Sequence, residues 1–111
     1  MDKRQAQVQG DQEIYKLSPE VKRYSLVDAG FMETNKGSFR LEHPINGSSP
    51  YAARYYLRAT VDKDLDSLKL AITDKSGLHN INMFKIKDTD KEVSDYRYLM
   101  NFLKEKNVLV K

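Results

Sequence analysis

Acid–base or metal chemistry near neutral pH most often calls for histidine, and this chain has two, His43 and His79. Either could act as a general base or a ligand. Neither sits in a recognisable motif: there is no His-Glu-x-x-His pair and no EF-hand-type calcium loop. His43 shares a strand face with Phe39 and Leu41, so a packed, hydrogen-bonded imidazole is the plainer account. Ser48-Ser49 could invite a nucleophile reading, but no Gly-x-Ser-x-Gly elbow and no evident base accompany it. The five glycines form neither a phosphate loop nor a dinucleotide fingerprint. No Glu-Ser pair is present, which disfavours a self-cleaved pyruvoyl group. With no cysteine, thiolate nucleophiles, disulfides, persulfide carriage and Cys-ligated metal centres are excluded. No catalytic residue, metal or cofactor is therefore assigned, and an enzyme is the less favoured reading.

Two further constellations could bind rather than react. Arg54-Tyr55-Tyr56-Leu57-Arg58 interleaves aromatics with cations, as single-strand nucleic-acid sheets do. Strand alternation divides the group, sending Tyr55 and Leu57 to the core and leaving Tyr56 and Arg58 exposed together. Nucleic acid is a possible partner but not the favoured one. Asp62, Asp64 and Asp66 recur at every second position, yet the glycine and distal glutamate of an EF-hand are missing, so a solvated turn is expected. The candidate ligand-binding set is His43, Tyr56, Arg58 and His79. Tyr98 and Phe102 lie off the main helix stripe and are expected either to pack on the N-terminal strands or to form a contact patch.

The elements that must position these residues follow from the pattern. The chain has 111 residues, and 19 basic against 16 acidic side chains leave a formal charge of +3. That length fits one α+β domain over 1–111, and the mild charge compels no nucleic-acid partner. The start of the chain is polar and no apolar run approaches the ~18 residues of a membrane helix, so a cytoplasmic protein is expected. Gln5 to Gln9 and Glu13 to Leu17 read as short strands about a Gly10-Asp11 turn. Ser18 to Val21 reads as one turn followed by extended chain, although Val21, Tyr24 and Val27 keep helical spacing. Phe31 to Thr34 and Ser38 to Pro44 flank Asn35-Lys36-Gly37 as a hairpin. Asn46 to Pro50 is a loop. Strands follow over Arg54 to Val61, Leu68 to Thr73 and Leu78 to Phe84, with Ile81 and Met83 inward.

Thr89-Asp90-Lys91-Glu92 matches a capping box opening a helix. Its apolar stripe is Val93, Tyr96, Leu99, Met100 and Leu103. Asn107 can take the left-handed closing position, and Val108 to Val110 reads as a docking tail. Strands with one apolar face need a cover and a one-striped helix needs a sheet. The expected architecture is mostly antiparallel strands, in one or two sheets, packed against a single C-terminal helix.

The string Tyr15 to Tyr24 with Asp28-Ala29-Gly30-Phe31, together with Gly37-Ser38-Phe39-Arg40-Leu41-Glu42 and Leu70-Ala71-Ile72-Thr73, resembles the small bacterial family called domain of unknown function 1831. The resemblance runs over essentially the whole chain. It implies two β-sheets against one helix and a role in amino-acid metabolism. Encoding of family members near cysteine desulfurases would point to sulfur handling. Without cysteine the chain could not relay a persulfide itself, so the implied role is accessory: binding an amino-acid-related small molecule or a partner enzyme.

Overall fold

The computed structural model describes residues 3–45 and 53–110. Two antiparallel sheets and a C-terminal helix make an α+β fold. β1 (Gln5–Ala6) pairs with β2 (Tyr15–Lys16) in a two-stranded sheet. A helix, α1 (Arg23–Asp28), then leads into the second sheet. That sheet is a meander of β3 (Met32–Glu33), β4 (Phe39–Ile45), β5 (Tyr55–Val61) and β6 (Leu68–Thr73), in that order. A 3-10 turn (Met83–Lys85) precedes α2 (Asp90–Glu105).

Alternation sets which face of the large sheet is apolar. Phe39, Leu41 and Ile45 of β4, Leu57, Ala59 and Val61 of β5, and Leu68 and Ile72 of β6 are buried. Tyr96, Leu99, Met100 and Leu103 of α2 join them in one contiguous core, with Val8, Tyr15 and Leu17 from the N-terminal segment. Burying each large apolar side chain stabilises by roughly 1.5–3 kcal/mol before ordering entropy is counted.

The chain beyond α2 closes the structure. Asn107 takes φ +62, with its amide donating to Lys104 and that of Val108 donating to Leu103. These two bonds form a Schellman ending. The tail then pairs with the N-terminal segment: Ser18 donates to the Val108 carbonyl and Val110 donates to that of Lys16.

Three expectations need correction. The extended chain expected after Val21 contains α1. Tyr24 and Val27, which carried the helical spacing, are exposed, while Ser25 and Leu26 face inward. The helix starts where the Lys22 amide donates to the Ser25 hydroxyl. It ends in a second Schellman motif: Gly30, at φ +103, donates to Val27, and Phe31 donates to Leu26.

The strand expected over Leu78 to Phe84 is a single bridge between Thr73 and Asn80, followed by the 3-10 turn. Leu78 is exposed, while Met83 is buried. The capping box at Thr89 does not form. The Thr89 hydroxyl instead sits within hydrogen-bond distance of the Met83 and Ile86 carbonyls. It stitches the 3-10 turn to the helix start. The expected Asn46 to Pro50 loop, including Ser48-Ser49, lies outside the described residues.

Candidate functional site

Of the four sequence candidates, three gather at one place. β5 carries Tyr56 and Arg58 on the sheet face away from the core, Tyr56 between Pro44 of β4 and Thr73 of β6, and Arg58 between Glu42 and Ala71. The Arg58 guanidinium is bound on two sides: Nη1 lies 2.5 Å from Glu42 Oε1 and Nε donates to Thr73 Oγ1 at 2.8 Å. It also lies 6.0 Å from the centre of the Tyr56 ring. The turn after β6 covers it, since a Cβ on Gly77 would come within 2.7 Å of the guanidinium.

Asp74 organises that turn. It accepts from the Ser76 hydroxyl at 2.6 Å and the Gly77 amide at 3.1 Å, and lies 2.9 Å from His79 Nδ1. The Ser76 hydrogen bond, helped by His79 and the Gly77 amide, holds the Asp74 carboxyl below its ordinary range. His79 thus braces a turn, and Arg58 is committed to its neighbours. This cluster is a solvated brace of the sheet edge.

His43 stands apart, on the core side of β4. It is exposed rather than packed, because it lies at the margin of α2's cover. There it lines a half-open groove of about 440 Å³ bounded by the α1–β3 corner, β4 and α2. The floor is apolar: Leu41, Leu99, Phe102 and Leu103. Asp28, Asp95, His43 and Tyr98 supply the polar side chains. Tyr98 stands 67% exposed on the helix flank. Tyr98 and Phe102 both line this groove, and Phe102 also packs against the core.

His43 Nδ1 lies 2.8 Å from the Pro44 carbonyl oxygen. A carbonyl only accepts, so Nδ1 carries the hydrogen, and Nε2 of the neutral ring is an acceptor. Leu41 and His43 reach the groove because β4 outruns β3, which pairs only with Phe39 and Arg40. α1 ends in Asp28-Ala29-Gly30 at the open margin, and its Schellman turn sets that corner.

A second polar cluster went unnoticed in the sequence. Asp11 accepts from Arg97 through both oxygens, at 2.7 and 2.9 Å, from the Tyr96 hydroxyl at 2.7 Å and from the Glu13 amide at 3.0 Å. Arg97 also donates to the Tyr15 hydroxyl at 2.8 Å. The Asp11 side chain is wholly buried. Burial alone would raise its pKa, but the Arg97, Glu13 and Tyr96 hydrogen bonds prevail and hold it below the usual range. Burial pushes the Tyr96 and Tyr15 hydroxyls up. The Asp11 bond raises Arg97 further. The residues are 85 and 86 positions apart, so no local motif could have revealed the cluster. Its polar groups answer one another, and it ties the N-terminal segment to α2.

Among the described residues, no group of three or more His, Asp or Glu could hold a metal ion, and no helix is long and apolar enough to cross a membrane.

Two sheets, a C-terminal helix and a groove at the helix margin define a small α+β protein with an apolar surface cleft. The chain belongs to the DUF1831 family, whose model matches residues 2–110 and carries the description "Putative amino acid metabolism". It is similar to the crystal structure of a DUF1831 family protein from Lactobacillus plantarum. The two share 32% identity and a TM-score of 0.89, covering 98% of this chain and 96% of the other. No curated protein matches the chain.

Proposed function

We propose that this protein is a cytoplasmic accessory protein of amino-acid metabolism, and that it works by binding an amino-acid-related small molecule in the groove between β4, α2 and the α1–β3 corner. The observation that carries this reading is the groove itself. It joins an apolar floor to a few polar side chains, at a volume within the range of small-molecule sites. The family description supports the metabolic class. A sulfur-handling context is compatible with this role, the chain lacking the cysteine to carry sulfur itself.

The nucleic-acid reading draws less support. Its central cation, Arg58, is already engaged by Glu42 and Thr73.

A thermal-shift screen tests the proposal with amino acids, their amines and acids, S-adenosylmethionine, pyridoxal phosphate, nucleotides and short RNA. A ligand at about 100 times its Kd should add ~2.7 kcal/mol, on the order of 10 °C for a domain of this size. The proposal expects a shift with an amino-acid-related compound that Tyr98→Ser abolishes. A shift with RNA alone, lost on Arg58→Ala, would overturn it in favour of nucleic acid.

A further inference from the structure

The chain has no cysteine, so methionine supplies its only sulfur. Of the three described methionines, Met83 and Met100 are fully buried in the core, whereas Met32 is 75% exposed. Its place in the fold explains the exposure. β3 is two residues long and forms the edge of the large sheet. Phe31 turns into the core, so alternation turns Met32 out. The side chain then lines an open hollow of about 410 Å³ together with Thr34, Arg40 and Glu42.

A thioether reacts with oxidants through its sulfur lone pair, and access decides which methionine reacts first. With hydrogen peroxide the sulfur attacks one oxygen, and an S–O bond forms as the O–O bond breaks. The hydroxide that leaves takes the hydrogen of the transferred hydroxyl and departs as water. Sulfur loses two electrons and the peroxide gains them. At Met83 or Met100 the new polar oxygen would enter the apolar core. At Met32 it meets solvent and Arg40, an exposed donor directly opposite in the β3–β4 register. Side chains paired in this way leave Cβ atoms about 4.5–5.5 Å apart, within reach of a guanidinium.

We propose that Met32 is a reversible oxidation site, taken to the sulfoxide by hydrogen peroxide and returned by a dithiol-using sulfoxide reductase, with the fold intact in both states. In the return step the S–O bond breaks, the oxygen leaves as water and the dithiol becomes a disulfide. The edge position serves both steps, since neither the peroxide nor the reductase has to open the core.

Peptide mapping by mass spectrometry after timed exposure to hydrogen peroxide tests the assignment. Trypsin places the four methionines on four different peptides, so each is read separately. In the folded protein Met32 should gain oxygen at least about tenfold faster than Met83 and Met100, which react only through opening of the core. In concentrated urea the three should react at similar rates. Sulfoxide reductases of both stereospecificities, supplied with dithiothreitol, should together return the Met32 peptide to its original mass. The melting temperature should change by less than about 4 °C on oxidation, and by as little in Met32→Gln, which places a polar side chain there without oxidant.

Oxidation of Met83 or Met100 as fast as Met32 in the folded protein would overturn the assignment. So would a larger fall in melting temperature on oxidation of Met32. A Met32 sulfoxide that both reductases leave in place would be a lesion and would overturn the reversible site.

Discussion

α2 presents polar side chains to two regions that obey opposite rules. Toward the N-terminal segment it sends Tyr96 and Arg97, whose donors meet Asp11 and Tyr15. Toward the α1–β3 corner it sends Asp95 and Tyr98, which line an open groove over an apolar floor. In the first region donors and acceptors answer one another; the second sets a few polar side chains over an apolar floor and faces solvent. Buried polar groups that satisfy one another hold a structure in one arrangement. Convergent polar groups over an accessible apolar floor are what a ligand can use. The difference gives stability to Asp11 and its partners and leaves the groove as the place for the proposed binding.

The comparison can be broken first at the buried cluster. Asp11→Ala leaves the Arg97 guanidinium and the Tyr96 hydroxyl without their acceptor. Breaking a buried pair costs about 3–5 kcal/mol, and the partial exposure of Arg97 places this one near 3. The melting temperature should fall by on the order of 15 °C in calorimetry. A loss within experimental error of zero would mean that the cluster is not what ties the N-terminal segment down.

The same cluster has a pH signature. The Asp11 carboxyl is held below its ordinary value in the folded protein. The unfolded chain therefore binds the proton first as pH falls. The contribution is fully present above the unfolded value of about 4 and is lost as pH drops through the lower folded value. The stability gap between wild type and Asp11→Asn should narrow below about pH 4 in urea titrations. A constant gap would contradict the linkage.

Smaller effects sharpen the contrast. Tyr96→Phe removes one donor from an acceptor that keeps others, and should cost about 1–2 kcal/mol by chemical denaturation. Gly77→Ala should cost about 1 kcal/mol or somewhat more, from its φ of +78 and the guanidinium behind it. Tyr98→Ser, on the exposed flank, should leave stability within about 0.5 kcal/mol while removing the ligand-induced shift. A large stability loss there would make the groove part of the structural core.

The parts of the fold that were readable from sequence are those where periodicity and turn chemistry agree. β4, β5 and β6 alternate cleanly between Asn-, Asp- and Gly-containing turns, and the α2 stripe is buried almost as expected. α1 was missed because its exposed residues carried the helical spacing. Its real signal was Leu26 and Phe31 around Ala29-Gly30, which close the Schellman turn.

At Thr89 a sound local motif lost to tertiary demand, the hydroxyl being drawn to the Met83 and Ile86 carbonyls. Of the groove, the sequence reading singled out His43 as a ligand candidate and Tyr98 and Phe102 as packing or contact residues. Tyr56, Arg58 and His79 proved to be a brace, and Asp28 and Asp95 join the groove only through packing of segments distant in the chain. Distance along the chain hid the Asp11 cluster in the same way.

The most direct test is to map a ligand onto the backbone. Amide chemical shifts of the labelled protein would be followed during titration with the amino-acid-related compound that gives the largest thermal shift. The expected changes centre on Gly30, Leu41, His43, Asp95 and Leu99, with Asp11, Arg97 and Arg58 unmoved. Changes confined to Tyr56, Arg58 and His79, or none at saturating ligand, would contradict the division between a structural cluster and a binding groove.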